Sequence, residues 1–332
     1  MATTTESRSE DALSEMSPGD GPESDDPEIE ARVGISYTLR QIRRDPTALA
    51  GLFIIGFMTT IAVVAYVDAK LLDYWLANTF WVNPENDPQT VSTLLPPFFT
   101  DNAYGGGTLN HVLGTDHRGR DILVRLFYGS RIAIQVGFIS TMIGLVGGTL
   151  VGAVAGYYGK WIDDALMRAV ETLYAIPFLV LVIAFMAAFG RNLTFAMIGV
   201  GIASIPTFAR LIRSRVLSVR EEDYIEAARA AGVRDRNIIL RHVIPNSFAP
   251  VLVQGTLQVG YSILIVAGLS FLGFGVQPPT PSWGQMLSQS RNYMLENWWF
   301  SLWPGLAILI TVVGFNLLGD GLRDALDPRI NN

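Results

Sequence analysis

Six long stretches without a charged side chain dominate this sequence. They cover residues 47–67, 132–158, 173–190, 192–209, 247–275 and 297–319. A helix of about 20 residues crosses the hydrocarbon core of a bilayer, and a charge at its centre costs about 2.5–3.5 kcal/mol on insertion scales. A soluble helix of this length would keep a polar face, which these stretches lack. The sequence therefore predicts an all-α membrane protein with six transmembrane helices.

The composition agrees with this prediction. Charged residues make up 16% of the 332 residues and hydrophobic residues 50%, whereas soluble domains carry about 25% charged residues. The sequence contains no cysteine, which excludes disulfides, thiolate metal sites and a cysteine nucleophile.

The ends of the chain differ in charge from the apolar stretches. Residues 1–33 hold ten carboxylates, two arginines and few large apolar side chains, so we expect a disordered acidic tail and not a signal peptide. Arginine and lysine gather at residues 40–44, 160–168 and 210–241. Because cytoplasmic loops are enriched in these residues, we expect both termini and the loop at residues 218–246 to be cytoplasmic.

The charged island at residues 221–246, EEDYIEAARAAGVRDRNIILRHVIPN, predicts two short helices. Ser218 and Glu221 have the spacing of a capping box, and Gly232 stands where a left-handed residue would end the first helix. Asp235 is expected to cap the second helix and Pro245 to end it. From the residues alone this pair is either a solvated loop or a docking surface.

A family resemblance favours the docking surface. The pattern of Glu226-Ala227-Ala228, Gly232 and Ile244-Pro245 resembles the EAA loop of ABC importer permeases. The resemblance implies a cytoplasmic coupling loop at residues 218–246 that inserts into an ATPase subunit. The coupling residues that it implies are Glu226, Ala227, Ala228, Gly232, Ile244 and Pro245.

Residues 111–131, HVLGTDHRGRDILVRLFYGSR, carry a second pattern. Glycines predict turns, and residues 120–131 look amphipathic, which predicts an interfacial helix with solvated charges. The stretch resembles the H-x-L-G-T-D-x-x-G-R-D hallmark of the dipeptide, oligopeptide and nickel group of these permeases, the subunit type with a long first extracytoplasmic loop. The motif residues are Gly114, Thr115, Asp116, Gly119, Arg120 and Asp121. His111, Asp116 and His117 suit a metal, but turn polarity explains them better, so no metal site is predicted.

Polar and small residues mark two of the apolar stretches. Glycines recur every fourth residue from Gly144 to Gly156, which predicts a helix-packing seam. The fifth stretch contains Gln254, Gln258 and Tyr261. Their amides and hydroxyl either line a translocation path or hydrogen-bond a neighbouring helix, and the sequence leaves both interpretations open.

Catalytic motifs are absent from the sequence. The Gly159-Lys160 pair lacks the earlier glycine of a P-loop and is followed by Trp161, and neither G-x-S-x-G nor H-E-x-x-H occurs. We therefore predict no catalytic residue, no cofactor and no enzymatic activity in this chain. Carboxylates are missing from the apolar stretches, which argues against proton-coupled transport.

The resemblance implies the rest of the functional prediction. It implies a type I ABC importer transmembrane domain at residues 132–329, preceded by a first helix and extracytoplasmic segment at residues 34–131. The implied partners are two ABC ATPase subunits, a second homologous permease subunit and an extracytoplasmic solute-binding protein in the cytoplasmic membrane, without nucleic acid. Di- and oligopeptides are the expected cargo, with nickel, glutathione or another small solute as alternatives. An ion-coupled carrier or channel with a docking loop is the alternative from another class.

Overall fold

The structure is a computed structural model that describes residues 41–86, 93–102 and 105–326. Helices dominate these residues. The acidic tail that we predicted at residues 1–33 lies outside them.

Twelve α-helices follow one another along the described residues. They are α1 (Pro46–Leu71), α2 (Trp75–Phe80), α3 (Ile122–Tyr158), α4 (Lys160–Ala175), α5 (Phe178–Phe189), α6 (Leu193–Val219), α7 (Asp223–Ala230), α8 (Asp235–Ile238), α9 (Ile244–Ser247), α10 (Ala249–Phe271), α11 (Trp283–Ser290) and α12 (Trp299–Leu326). A 3₁₀ turn (Leu109–His111), a π-helical turn (Ile239–Val243) and a small antiparallel pair, β1 (Asp101–Asn102) and β2 (Gly105–Gly106), complete the secondary structure.

Five of these helices are long and apolar enough to cross a membrane: α1, α3, α6, α10 and α12. The third predicted crossing, residues 173–190, is not one straight helix. Its residues belong to α4 and α5, which meet at an angle of 90°. The break falls at Ile176, whose backbone is extended (φ −80°, ψ 127°), because the following Pro177 disfavours the helical conformation at the residue before it.

Helix α3 begins ten residues before the predicted second crossing and is 37 residues long. Asp121 caps its first turn, since the carboxylate Oδ1 accepts a hydrogen bond from the Val124 amide at 3.0 Å. The amphipathic segment at residues 120–131 is therefore the start of α3 and not a separate interfacial helix. The predicted boundary between residues 131 and 132 falls inside this helix.

The glycine seam of α3 lies against α6. A Cβ atom added to Gly148 would stand 2.8 Å from the Ile205 carbonyl oxygen, and one on Gly156 would stand 2.9 Å from a Val216 methyl group. Such distances leave no space for any side chain, so the two backbones pack directly on each other. The packing seam predicted from the spacing is confirmed.

The other long helices complete a bundle around this pair. Helix α10 packs against α3, α6 and α12, while α1 packs against α12 and α3. One end of the bundle carries the hairpin, residues 221–246. The opposite end carries the cap, which comprises residues 72–86, 93–102, 105–121 and 276–298.

Candidate functional site

The turn of the hairpin has the geometry that its glycine predicts. Gly232 has φ +75°, its amide donates to the Arg229 carbonyl at 2.9 Å, and the Val233 amide donates to the Ala228 carbonyl at 3.1 Å. This pair of bonds is a Schellman motif, which ends a helix at a left-handed residue. Gly232 therefore sets the angle between α7 and α8.

The start of the hairpin differs from the prediction. Ser218 lies inside α6, and α7 begins at Asp223 with Glu222 as its N-cap residue. The capping box predicted from Ser218 and Glu221 is wrong, because α6 continues about ten residues beyond its apolar stretch, to Val219. Asp235 is likewise the first residue of α8, and the N-cap residue is Arg234.

The end of the hairpin also differs, because Pro245 does not end the helical path. The chain passes from α8 through the π-helical turn into α9, where Pro245 occupies the first turn. The missing amide of proline is not needed at that position. The break comes later, at Phe248, before α10.

The hairpin has one buried face and one exposed face. The buried face consists of Ile225, Ile238, Ile239 and Val243. It packs into a core formed by three helices of the bundle: Phe208, Ile212 and Val216 of α6, Ala153 and Tyr157 of α3, and Val251 of α10. Among the predicted coupling residues, Ala228 and Ile244 pack against this core. Glu226, Ala227, Gly232 and Pro245 are exposed. The exposed face combines small residues with charge, so a partner's backbone can approach it closely.

A cavity of about 990 Å³ lies between the α4–α5 bend and helices α6, α10 and α12. Gln254, Gln258 and Tyr261 all line it. The Gln258 amide also donates to the Ser204 hydroxyl of α6 at 2.9 Å. Gln258 therefore bonds a neighbouring helix, as one of the two interpretations expected, and it also lines the cavity. That this cavity belongs to a translocation path stays a prediction.

Several polar residues that line the cavity were missed from the sequence, and two of them belong to α12. Asn316 and Asp320 of α12 line the cavity, and both are exposed. Asp320 follows the last uncharged residue of the sixth apolar stretch, so it seemed to lie outside the membrane. Helix α12 continues to Leu326 and carries this carboxylate along the cavity wall. Asp320 is the one charged side chain among the lining residues that the structure describes.

The motif residues of the cap form a buried charge cluster. Asp116 is fully buried, as is Arg125 at the start of α3, and Arg120 is 2% exposed. The Arg120 Nε donates to Asp116 Oδ2 at 2.8 Å, and the Arg125 Nε lies 3.7 Å from the same oxygen. The other carboxylate oxygen accepts the Arg118 and Arg120 amides at 2.8 and 3.0 Å. The prediction of solvated charges here is wrong, because α11 and the start of α12 cover this surface.

The remaining motif residues hold the chain around this cluster. The Thr115 hydroxyl accepts the Leu95 amide at 2.9 Å, and Asp121 both caps α3 and lies 2.9 Å from the Nδ1 of His111. Gly114 and Gly119 have φ values of +85° and +77°, which glycine adopts without strain. The motif therefore builds the cap.

The three residues considered for a metal have separate partners. His111 pairs with Asp121, Asp116 pairs with arginines, and the ring of His117 stacks on Tyr293 and Phe300 at centroid distances of 5.8 and 5.9 Å. Within residues 41–86, 93–102 and 105–326, no group of three or more His, Asp or Glu side chains is placed to hold a metal ion. Burial holds the pKa of His117 below its usual value.

A second polar cluster ties the start of the cap to α3. The Arg131 guanidinium donates to the Tyr74 hydroxyl at 3.0 Å, and that hydroxyl donates to Glu85 at 2.6 Å. Burial and the bond to Glu85 together raise the pKa of Tyr74 to about 12. The tyrosine is therefore a neutral hydrogen-bonding group at physiological pH.

Comparison with known proteins agrees with these features. A family profile described as "Binding-protein-dependent transport system inner membrane component" matches residues 148–332. The chain is 42% identical to a dipeptide transport system permease protein, DppC, of Alkalihalophilus pseudofirmus, over 88% of this chain and 89% of that protein. It is also 42% identical to a glutathione transport system permease protein, GsiD, of Pectobacterium atrosepticum, over 82% of this chain and 88% of that protein.

Solved structures share the fold. One chain of an inward-facing structure of the MetNI methionine ABC transporter superposes on this protein. The superposition covers 62% of this chain and 98% of the transporter chain. The TM-score is 0.51 and the sequence identity 20%. At this identity the match speaks for the fold alone.

Proposed function

The chain belongs to the family of binding-protein-dependent transport system inner membrane components and is a permease subunit of an ABC importer, for which we propose di- and oligopeptides as the cargo. Its fold is that of a type I ABC importer transmembrane domain. Family membership speaks against the alternative of an ion-coupled carrier or channel.

The proposed cargo rests on the relatives and on the cavity. Relatives named for dipeptide transport from Alkalihalophilus pseudofirmus and for di- and tripeptide transport from Pseudomonas aeruginosa are 42% and 41% identical. The cavity offers amides from Gln254, Gln258 and Asn316, which can both donate to and accept from a peptide backbone. Few charges line it, so cargo can pass without tight binding.

Glutathione is the second candidate cargo. A relative named for glutathione transport is 45% identical over 70% of this chain, which is comparable with the peptide-permease relatives. Glutathione is itself a short peptide, so the amide lining suits it equally. Its net negative charge is the property that separates it from most dipeptides, and Asp320 is the lining residue that would oppose this charge.

The hairpin is the proposed docking site for an ATPase subunit. Its exposed face carries Glu226, Ala227, Gly232 and Pro245, and Ala228 and Ile244 anchor it to the bundle core. A surface that is exposed on one side and anchored on the other can transmit a push from a partner. The two faces of the hairpin are the single observation that carries this part of the proposal.

Family membership supports the other partners that we propose. A second homologous permease would complete the translocation path, two ATPase subunits would bind ATP, and an extracytoplasmic binding protein would deliver cargo to the cap side. The hairpin and both termini would then be cytoplasmic. ATP bound to the ATPase subunits acts in this scheme only by stabilising the two states of the bundle to different extents.

Two measurements test the proposal. Calorimetric titration of the cognate binding protein with dialanine, glutathione and Ni²⁺ identifies the cargo, and we expect the tightest binding for the dipeptide. Affinity purification of the tagged permease should retain the ATPase subunits, and removal of residues 221–246 should abolish both this retention and ATP-driven uptake. Full uptake without the hairpin would contradict the proposed coupling.

A further inference from the structure

One tyrosine connects α3 to both helices of the hairpin. Tyr157 stands one residue before the end of α3 and is 6% exposed. Its hydroxyl donates to Asp235 Oδ1 at 2.8 Å and accepts a longer contact from the Arg229 Nε at 3.4 Å. The Arg229 guanidinium also lies over the tyrosine ring, 4.9 Å from its centroid.

The two partners lie on opposite sides of the hairpin turn. Arg229 belongs to α7 and Asp235 to α8, with Gly232 between them. The covalent connections of the hairpin lead elsewhere, to α6 at one end and to α10 at the other. The Tyr157 bridge, which consists of Tyr157, Arg229 and Asp235, is therefore a direct polar link between the hairpin and α3.

The Tyr157 bridge makes the contact between the hairpin and α3 depend on angle, whereas the rest of this contact is apolar. Beneath it, Ile225, Ile238 and Val243 pack against α3 and α6, and apolar packing has little preference for angle. Hydrogen bonds weaken steeply when their geometry is bent. A tyrosine that bonds both helices therefore fixes the tilt of the hairpin relative to α3.

Helix α3 is suited to carry a movement across the bundle. Its 37 residues correspond to about 55 Å of helix, which is enough to reach from the hairpin to the cap. At the cap end, Arg125 of α3 donates to the Pro84 carbonyl at 2.6 Å. Along its length, the glycine seam holds it against α6, so that the two helices are expected to move as one body.

We propose that Tyr157 is a positioning residue that transmits hairpin movement to α3, and through α3 to the cap, during the transport cycle. This inference rests on the proposed function of the hairpin as the ATPase docking site. Without the bridge, the hairpin would still bind the ATPase, but it would tilt without moving α3. ATP would then be hydrolysed with less import.

A set of variants in the whole complex tests this inference. Tyr157→Phe keeps the ring and removes the hydroxyl. Tyr158→Phe is the matched control, because Tyr158 is the neighbouring residue, is 42% exposed and lies edge-on to the Tyr157 ring. Asp235→Ala removes the acceptor of the tyrosine's hydrogen bond. Asp235→Asn keeps a side-chain oxygen that can accept this hydrogen bond.

The measurement is the number of dialanine molecules imported per ATP hydrolysed, in proteoliposomes that contain both permeases, both ATPases and the binding protein. We expect Tyr157→Phe and Asp235→Ala each to lower this ratio about two- to tenfold, the range that the loss of one hydrogen bond corresponds to. The double variant, Tyr157→Phe with Asp235→Ala, should lower the ratio no more than either single variant does. Asp235→Asn should recover most of the ratio, and Tyr158→Phe should leave it unchanged.

The outcomes separate this inference from the proposed function. A wild-type complex that hydrolyses ATP but imports no dialanine would overturn the proposed cargo. Import by the wild type with an unchanged ratio in Tyr157→Phe would overturn only the role of the bridge. If Tyr158→Phe lowered the ratio as much as Tyr157→Phe does, the role of the bridge would also be overturned. The same holds if the losses of Tyr157→Phe and Asp235→Ala added fully in the double variant. In both cases a general structural effect of the substitutions would explain the lower ratio.

Discussion

The two ends of the bundle carry the same kinds of charged residue and use them in opposite ways. In the cap, Asp116 is buried and pairs with Arg120 and with Arg125 at the start of α3, and both arginines are buried too. In the hairpin, Glu226 and Arg234 are exposed beside small residues. A buried charge costs a large desolvation energy and is retained only when it is paired. The cap charges therefore hold the structure together, whereas the hairpin charges remain available to a partner.

The largest effect is expected in the cap, from Asp116→Ala. This variant leaves two buried arginines without their carboxylate, and breaking a buried ion pair in this way costs about 3–5 kcal/mol. We expect a lower thermal unfolding temperature in detergent and less protein in the membrane. Thermal unfolding of the purified permease measures the first quantity, and quantitative immunoblotting of membranes measures the second.

Glu226→Ala in the hairpin is the matched comparison. An exposed substitution away from packing usually changes stability by less than about 0.5 kcal/mol, so unfolding should be unchanged while ATP-driven import falls. If Glu226→Ala destabilised the protein as much as Asp116→Ala does, the distinction between the two ends would be wrong.

The next effect concerns the hairpin turn and Gly232→Val. A Cβ at Gly232 would meet no atom within 4 Å, but φ is +75°, and a left-handed conformation costs an L-residue about 1–2 kcal/mol. We expect the turn to open, so that import falls while membrane insertion and ATPase activity remain. Uptake and ATP hydrolysis, measured on the same proteoliposomes, give both quantities.

Gly232→Asn is the control, because asparagine adopts the left-handed conformation more readily than other residues. It should retain most of the import. Normal uptake by Gly232→Val would show that the turn angle does not matter for coupling.

A third and smaller effect is expected between the two ends, at Asp320. This carboxylate is exposed to the cavity, and at 4 Å a unit charge in water attracts an opposite charge by about 1 kcal/mol. Asp320→Asn should therefore reduce uptake of a lysine-containing dipeptide a few-fold relative to dialanine and improve uptake of glutathione. Competition between the three solutes for one labelled substrate would measure this change. If wild type and Asp320→Asn took up the three solutes in the same ratio, the carboxylate would have no role in selecting cargo by charge.

The same comparison explains what the sequence can predict. Apolar length predicts α1, α10 and α12 well, and the four-residue glycine repeat predicts the packing of α3 on α6, because both are local patterns with one physical meaning. The turn at Gly232 is equally local. The burial of Arg120 and Arg125 depends on α11, which lies more than 150 residues later in the chain, and no pattern around these arginines indicates it.

The errors at α4, α5 and α12 have a related cause. Pro177 stands within an apolar stretch. The neighbouring residues do not show whether this proline causes a small kink in one helix or a 90° break between two helices. Asp320 marks the end of an apolar stretch but not the end of a helix. Hydropathy reports where charge begins, whereas the helix ends where its backbone hydrogen bonds end.

The smallest effect is expected from the titration of His117 in the cap. Burial is the main cause that lowers the pKa of this imidazole; the nearby Arg120, Arg118 and Arg125 act in the same direction, and the Asp116 carboxylate opposes them. The unfolded chain, with a histidine pKa of about 6.5, therefore binds more protons than the folded chain just below that pH. Stability is complete above about pH 6.5 and falls as the pH drops towards the lower pKa of the folded state.

His117→Phe isolates this contribution, because a phenyl ring can stack on Tyr293 and Phe300 as the imidazole does but cannot take up a proton. Thermal unfolding in detergent should show that wild type loses more stability than the variant between pH 7.5 and pH 5. Identical pH profiles for wild type and His117→Phe would mean that protonation of the cap histidine is not opposed by its surroundings. The cap would then tolerate a new charge as readily as the hairpin does, which is the opposite of what its buried ion pairs imply.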